Sequence, residues 1–278
     1  MTERNDELMT IFAGEFQPRY EPNFALGMAH STGISGFGVI RAYWPLTSVN
    51  ATQAVYDVSG ENRTLIAIDD PEWFRSYLRT YVYLNGTTQY LYRNDEAGLR
   101  VSGTETSIGA GNKGFSYACW LSFHTAIGGA EIIASKWHLA GPVDERSWYI
   151  ERTATGAIAF GISLLGTAVS GVTVTSAAGL LTQQATGLLP FQHVGVTFDP
   201  SNLMAIYLNG TLVASLAVGV PASIFGSIAD FMIGAYGTIA TAAGFAGMRT
   251  CQHVMSAMYL PSYYFKNHFE QTRALFGA

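Results

Sequence analysis

The chain has 278 residues, of which 49% are hydrophobic and only 13% charged, so it is long and apolar enough to bury a large core. A formal net charge of −5, with only 15 Lys and Arg residues, excludes the basic surface typical of nucleic-acid binding. No run approaches the roughly 18 consecutive apolar residues of a membrane-spanning helix. We therefore expect a globular protein that binds neither nucleic acid nor membrane.

The first 40 residues differ from the rest of the chain. Residues 1–10 are polar and acidic and lack the basic and apolar parts of a secretory signal. Pro and Gly interrupt any periodicity up to Gly38, which predicts an extended arm over 1–40 and a domain over 41–278. Because such an arm cannot form its own core, we expect its aromatic residues to anchor it on neighbouring protein subunits: Phe12, Phe16, Tyr20, Phe24 and Phe37.

The body of the chain reads as a series of short strands. Apolar and small residues alternate over 115–123 and again over 193–198, and strand signals recur roughly every 8 to 12 residues. Asn209-Gly210 between two apolar runs predicts a hairpin. The same Tyr-Leu-Asn-Gly-Thr string occurs at 83–87, where we expect a similar turn. This spacing favours an antiparallel sandwich over βαβ units.

Two segments read as helical. Asp70 before Pro71 resembles an N-cap followed by the first helical position, which predicts a short helical turn. At the end of the chain, Ser262 is a suitable N-cap for a helix that runs towards Gly277. Phe265, Phe269, Thr272 and Phe276 recur there at helical spacing, so this helix is expected to pack its Phe edge on the sandwich.

No motif of catalysis or metal binding occurs. Asp144 and Glu145 are adjacent and would point to opposite faces of a strand, whereas a glycosidase needs two carboxylates that converge. The six His residues show no metal-ligand spacing. We therefore expect a protein that is not an enzyme and that has no metal and no cofactor. The cysteines, Cys119 and Cys251, fit buried free thiols better than a disulfide, which remains the alternative.

Aromatic residues gather around the Gly141-Pro142 loop. Binding sites for sugars are built from loop aromatics and a few polar groups. The candidates for glycan or partner contact are Trp137, His138, Trp148 and Tyr149, and the alternative is that these side chains line the core or a subunit contact.

A series of strings in chain order resembles the laminin-G-like, concanavalin A-like lectin-glucanase superfamily. The match spans 42–247 and comprises the following strings: Ala42-Tyr-Trp-Pro-Leu46, Asp57-Val-Ser-Gly60, Tyr83-Leu-Asn-Gly-Thr-Thr-Gln-Tyr-Leu91, Phe115 to Leu121, Ile132-Ile-Ala-Ser-Lys-Trp137, Gln192-His-Val-Gly-Val-Thr-Phe-Asp199, Tyr207-Leu-Asn-Gly210, Ile233-Gly234 and Phe245-Ala-Gly247. Phe191 stands where the family usually has Trp, and Arg249 and Thr250 replace a usual acidic residue. The resemblance carries over no calcium site, because no carboxylate cluster supplies the oxygen ligands.

The resemblance implies an all-β, antiparallel jelly-roll sandwich with an extended N-terminal arm and a short C-terminal helix. It also implies a structural or binding protein. The fold usually occurs outside cells, and the arm suggests assembly, so we expect a phage capsid decoration protein or another virion surface component. Its partners would then be the major capsid protein or copies of itself. The alternative is an extracellular, lectin-like module for glycans of a host or cell surface.

Overall fold

The computed structural model describes residues 40–46, 54–75, 80–101, 114–139, 144–183 and 191–276. In these ranges the chain forms two antiparallel sheets that face each other, with one α-helix at the end. The predicted all-β sandwich with a C-terminal helix is therefore confirmed. The predicted arm over 1–40 and its aromatic anchors lie outside the described residues, except for Ile40, where the first strand begins.

The strands in chain order are β1 (Ile40–Trp44), β2 (Ala54–Val55), β3 (Leu65–Ile68), β4 (Glu72–Arg75), β5 (Thr80–Asn85), β6 (Tyr90–Arg93), β7 (Phe115–Phe123), β8 (Glu131–His138), β9 (Glu145–Arg152), β10 (Ile158–Ser163), β11 (Gly171–Thr175), β12 (Gln192–Asp199), β13 (Leu203–Leu208), β14 (Thr211–Leu216), β15 (Phe231–Ile233) and β16 (Gly247–Ser256). A short 3₁₀ helix spans Ala97–Leu99, and helix α1 spans Ser262–Phe276. Among the described residues, no helix is long and apolar enough to cross a membrane.

The two sheets have different strand orders. Sheet 1 runs β14-β13-β12-β7-β16-β5-β4, and β1 pairs with the last part of β16. Sheet 2 runs β11-β10-β9-β8-β15-β6-β3-β2. The main core lies between their inner faces, because every second residue of a strand points inward. Phe115, Tyr117 and Cys119 of β7, for example, are all buried there.

The outer face of sheet 1 is covered by α1. Trp120 and Ala118 of β7 point outward but are buried, so β7 is buried on both faces. The backbones approach closely here, since a Cβ at Gly195 of β12 would lie 2.3 Å from the ring of Phe265. Tyr207 stacks on the same ring with centroids 4.4 Å apart. The predicted Phe edge of the helix therefore packs where expected.

The two Asn-Gly strings form different turns. Asn209 and Gly210 have φ of 50° and 74° and join β13 to β14 in a tight hairpin, as predicted. Asn85 and Gly86 instead end β5 of sheet 1, and the chain crosses to β6 of sheet 2. Asn85 Oδ1 accepts backbone N–H groups of three following residues, from Thr87 to Gln89, and so stabilises this crossover.

The predicted helical turn at Asp70-Pro71 is wrong. Asp69 and Asp70 have φ of 59° and 50°, a left-handed conformation that does not start a right-handed helix. The chain continues as β4, which pairs with β5. Pro71 precedes the strand, so its missing N–H removes no bond from the ladder.

The cysteines are both buried free thiols, the alternative favoured by the sequence. Cys119 and Cys251 lie on adjacent strands of sheet 1, β7 and β16. Cys119 points into the core between the sheets, whereas Cys251 lies opposite Trp120 and shares its outer face. Burial raises the pKa of the Cys119 thiol far above its ordinary value, so this group is unreactive in the folded protein.

Candidate functional site

The four aromatic candidates divide between the two faces of sheet 2. Trp137 and His138 lie on β8, and Trp148 and Tyr149 lie on β9. Trp148 points inward, is completely buried, and packs against Phe115 with ring centroids 4.7 Å apart. Trp148 is therefore a core residue. This agrees with the alternative interpretation of the sequence, in which these side chains line the core. The other three side chains are partly exposed.

Trp137 and Tyr149 form a pair on the outer face of sheet 2. Their ring centroids are 4.8 Å apart with planes at 77°, an edge-to-face contact. The two residues come together because β8 and β9 are adjacent and a bulge between Lys136 and Trp137 shifts the register. We call this pair the aromatic platform.

A glycine of the next strand makes room for the platform. Gly161 of β10 lies opposite Tyr149, and a Cβ at Gly161 would be 2.2 Å from Tyr149 Cε1. The tyrosine ring therefore lies against bare backbone. Glycine within a strand often marks such a close approach. The Tyr149 and Thr173 hydroxyls, 3.2 Å apart, form a hydrogen bond that fixes the outer end of the ring.

Polar groups surround the platform. The Arg146 guanidinium lies 5.9 Å from the centre of the Trp137 ring and 3.6 Å from the Asp144 carboxylate. His138 Nε2 lies 3.4 Å from the Thr241 hydroxyl. The loop at 140–143, around which these aromatics gather in the sequence, lies outside the described residues.

Glu151 follows Tyr149 on the same face of β9. Its carboxylate makes no hydrogen bond or ion pair with another described residue, although it is half-buried. Partial burial raises the pKa of Glu151 above its usual range, because it disfavours the charged form. The same effect raises the pKa of the Tyr149 phenol. The platform therefore has beside it a partly desolvated carboxylate to which no group of the described residues donates a hydrogen bond.

The arrangement offers rings and hydrogen-bonding groups rather than catalytic groups. Asp144 is paired with Arg146, and Glu145 Oε2 accepts the backbone N–H of Ile228 at 2.8 Å. Within the described ranges, no three His, Cys, Asp or Glu side chains gather as metal ligands. The rings of the site can stack against an apolar face of a ligand, and the polar groups around the rings can form hydrogen bonds with it.

Sequence reasoning missed the residues that complete this surface, namely Arg146, Glu151, Gly161 and Thr173. Strand alternation could have placed Glu151 beside Tyr149, since they are two residues apart. The isolated glycine in the run Ile158–Ser163 was a signal of close approach. The pairing of β9 with β10 and of β10 with β11, which brings these residues together, has no local trace in the sequence.

Comparisons with known proteins give matches among solved structures only. No protein-family model matches the chain, and no curated protein sequence matches it. The binding domain of botulinum neurotoxin serotype C1 has a TM-score of 0.61 at 16% identity, over 85% of this chain and 52% of that chain. The binding domain of Paraclostridial Mosquitocidal Protein 1 has a TM-score of 0.60 at 12% identity, over 84% and 52%.

A further similar structure is the botulinum neurotoxin DC binding domain in complex with rat synaptotagmin II, with a TM-score of 0.60 at 13% identity, over 85% of this chain and 52% of that chain. The chain thus spans about half the length of the solved structures it matches. These neighbours lend no support to the predicted capsid role. At such low identity they show the fold alone: the chain shares the jelly-roll-like β-sandwich of these toxin binding domains.

Proposed function

We propose that this chain is a non-enzymatic binding module that holds a glycan on the aromatic platform of sheet 2. The observation that carries the proposal is the Trp137–Tyr149 pair, in which Tyr149 lies over Gly161. Beside it is the Glu151 carboxylate, which has no partner among the residues that the structure describes. Sugar rings have apolar faces that stack on aromatic side chains and hydroxyl groups that need acceptors. The platform supplies the aromatic surface for stacking. Glu151 and the Thr173 hydroxyl supply the hydrogen-bond acceptors.

The structural neighbours support a binding role. All those reported above are binding domains, and a structure of botulinum neurotoxin type C describes cell entry that depends on two ganglioside molecules. Those statements concern whole domains about twice as long as the matched part. The case for this chain therefore depends on its own side chains.

The proposal is tested by glycan-array screening of the whole chain, followed by titration calorimetry with the glycan that the array selects. Trp137→Ala and Tyr149→Ala are each expected to cost about 2 kcal/mol or more, a loss of roughly thirtyfold in affinity. Tyr263→Ala is the matched control, because Tyr263 is an exposed aromatic residue on α1. Binding that survives both platform substitutions, or an array with no bound glycan, would contradict the proposal.

A further inference from the structure

A second group of aromatic side chains lies on the outer face of sheet 1, towards its β4 edge. Phe74 of β4 stacks on Tyr81 of β5 with ring centroids 5.1 Å apart, and it meets Tyr83 edge to face at 6.4 Å. Tyr83 in turn stacks on His124, with centroids 4.2 Å apart and planes at 12°. Phe74 is 39% exposed, and the other three rings are half-buried. The rings therefore form a continuous surface that solvent reaches.

Arg249 of β16 borders these rings. It lies opposite Tyr83 of β5 on one side and opposite Ser122 of β7 on the other. Its neighbour Met248 belongs to the core, so Arg249 points outward, like Tyr83. The guanidinium is half-buried and makes no hydrogen bond or ion pair with any residue that the structure describes. We call the following residues the Arg249 patch: Phe74, Tyr81, Tyr83, His124 and Arg249.

His124 contributes a ring to the patch rather than a charge. Its Nε2 lies 2.9 Å from the carbonyl oxygen of Leu84, which can only accept, so Nε2 carries the proton. Its Nδ1 faces the Tyr83 hydroxyl at 3.5 Å. Burial lowers the pKa of His124 below its ordinary value, and the positive charges of Arg249 and Arg152 add to this effect. At neutral pH the charge of the patch is therefore that of Arg249.

The acidic residues of the neighbouring strands leave Arg249 unpaired within the described part of the chain. Strands β5 and β7 contain no charged residue. Glu72 of β4 is exposed and lies opposite Tyr83, so strand β5 separates it from Arg249. Glu131 of β8 pairs with the buried Arg152. The guanidinium is thus available to an anionic group of a ligand, and its planar set of donors matches a carboxylate.

The residue types of the patch indicate what carries that carboxylate. Tyr, Phe and Arg are enriched at the centre of protein interfaces, where Tyr and Arg are frequent hot spots. A sugar needs acceptors for its hydroxyl groups, whereas a guanidinium only donates. We propose that the Arg249 patch is a protein-binding surface that takes an acidic residue, together with a flanking aromatic or aliphatic side chain, from another protein. The carboxylate pairs with Arg249, and the flanking side chain packs on Phe74 and Tyr83.

Selection from a displayed library of short random peptides, with the whole chain as bait, tests the proposal. We expect the peptides enriched on the wild type to contain Asp or Glu beside an aromatic or aliphatic residue more often than the unselected library does. This preference should disappear on Arg249→Gln. It should persist on Arg273→Gln, the matched control, because Arg273 is an exposed arginine on α1.

An enriched peptide is then titrated against the variants by fluorescence polarisation. Arg249→Gln is expected to weaken binding at least about tenfold, because it leaves the peptide carboxylate without its partner in a partly desolvated contact. Phe74→Ala should also weaken it, through the loss of the packed ring. Arg249→Lys keeps the charge but not the bidentate geometry, so its affinity should lie between those of the wild type and Arg249→Gln. This order separates loss of the cation from a general loss of structure.

Three outcomes would overturn the proposal. One is a set of enriched peptides without a preference for acidic residues. Another is the same acidic preference on Arg249→Gln as on the wild type. The third is a glycan on the array whose binding is lost in Arg249→Gln while no acidic peptide is enriched, since the patch would then take a carboxylate-bearing sugar.

Discussion

The Arg152 side chain is completely buried and depends on one carboxylate. Its guanidinium pairs with Glu131 and lies 4.0 Å from the centre of the Phe123 ring. Glu131 Oε1 also accepts the Thr125 hydroxyl at 2.7 Å and the Gly247 N–H at 2.9 Å. Desolvation lowers the pKa of Arg152 to about 10, so the group stays charged at neutral pH. This carboxylate therefore ties β8, β9 and the start of β16 together.

Glu131→Gln is expected to destabilise the fold by about 3–5 kcal/mol, because it leaves a buried guanidinium without a counter-charge. Urea unfolding followed by circular dichroism measures the loss. Glu270→Gln breaks an exposed pair with Arg273 and should cost about 1 kcal/mol or less. Equal effects of the two substitutions would show that the buried pair contributes no more than a surface pair.

At the scale of residues, the sequence identified both aromatic residues of the platform but did not show which candidate side chains point outward. Trp137 and Tyr149 were both candidates, and both lie on the outer face. Trp148 was a candidate too, yet it lies in the core, because adjacent residues of a strand point to opposite faces. Which of two neighbouring aromatics points inward depends on which face of the strand packs against the other sheet, and long-range strand pairing decides that.

At the scale of elements, the docking of α1 depends on glycines in the sheet beneath it. Gly195→Ala would place a methyl group against the Phe265 ring, so the helix must shift at a cost of about 1–3 kcal/mol. Gly226→Ala is the control, because a Cβ there meets nothing within 4 Å. Thermal melts together with hydrogen exchange of α1 peptides check the effect. A Gly195→Ala variant with native stability and native helix protection would contradict this packing.

Elements with local signals were predictable. The hairpin at Asn209-Gly210 follows from turn preferences. The C-terminal helix lies where the spacing of Phe residues predicted it, although Ser262 is its first helical residue rather than its N-cap. Asn85-Gly86 carries the same string but joins strands of different sheets, since sheet membership is decided by long-range pairing. His268 was not recognised as part of the buried face of α1, because its partner His193 is 75 residues away in the sequence.

At the scale of the whole molecule, the two outer faces differ in character. Sheet 1 is covered by α1 over Trp120 and His193, whereas sheet 2 presents the aromatic platform. The order of the family strings was sufficient to predict this sandwich. The arm over 1–40, the assembly role and the virion surface location remain predictions from the sequence.

The measurement that tests the central claim most directly is calorimetric titration of Gly161→Ala with the glycan selected on the array. The substitution leaves Trp137 and Tyr149 in the chain but places a Cβ 2.2 Å from Tyr149 Cε1, so the ring must move. Gly226→Ala again serves as the control. We predict that Gly161→Ala melts cooperatively, as the wild type does, and binds at least about tenfold more weakly, a change of 1.4 kcal/mol. A folded Gly161→Ala variant with wild-type affinity would contradict glycan binding on the platform.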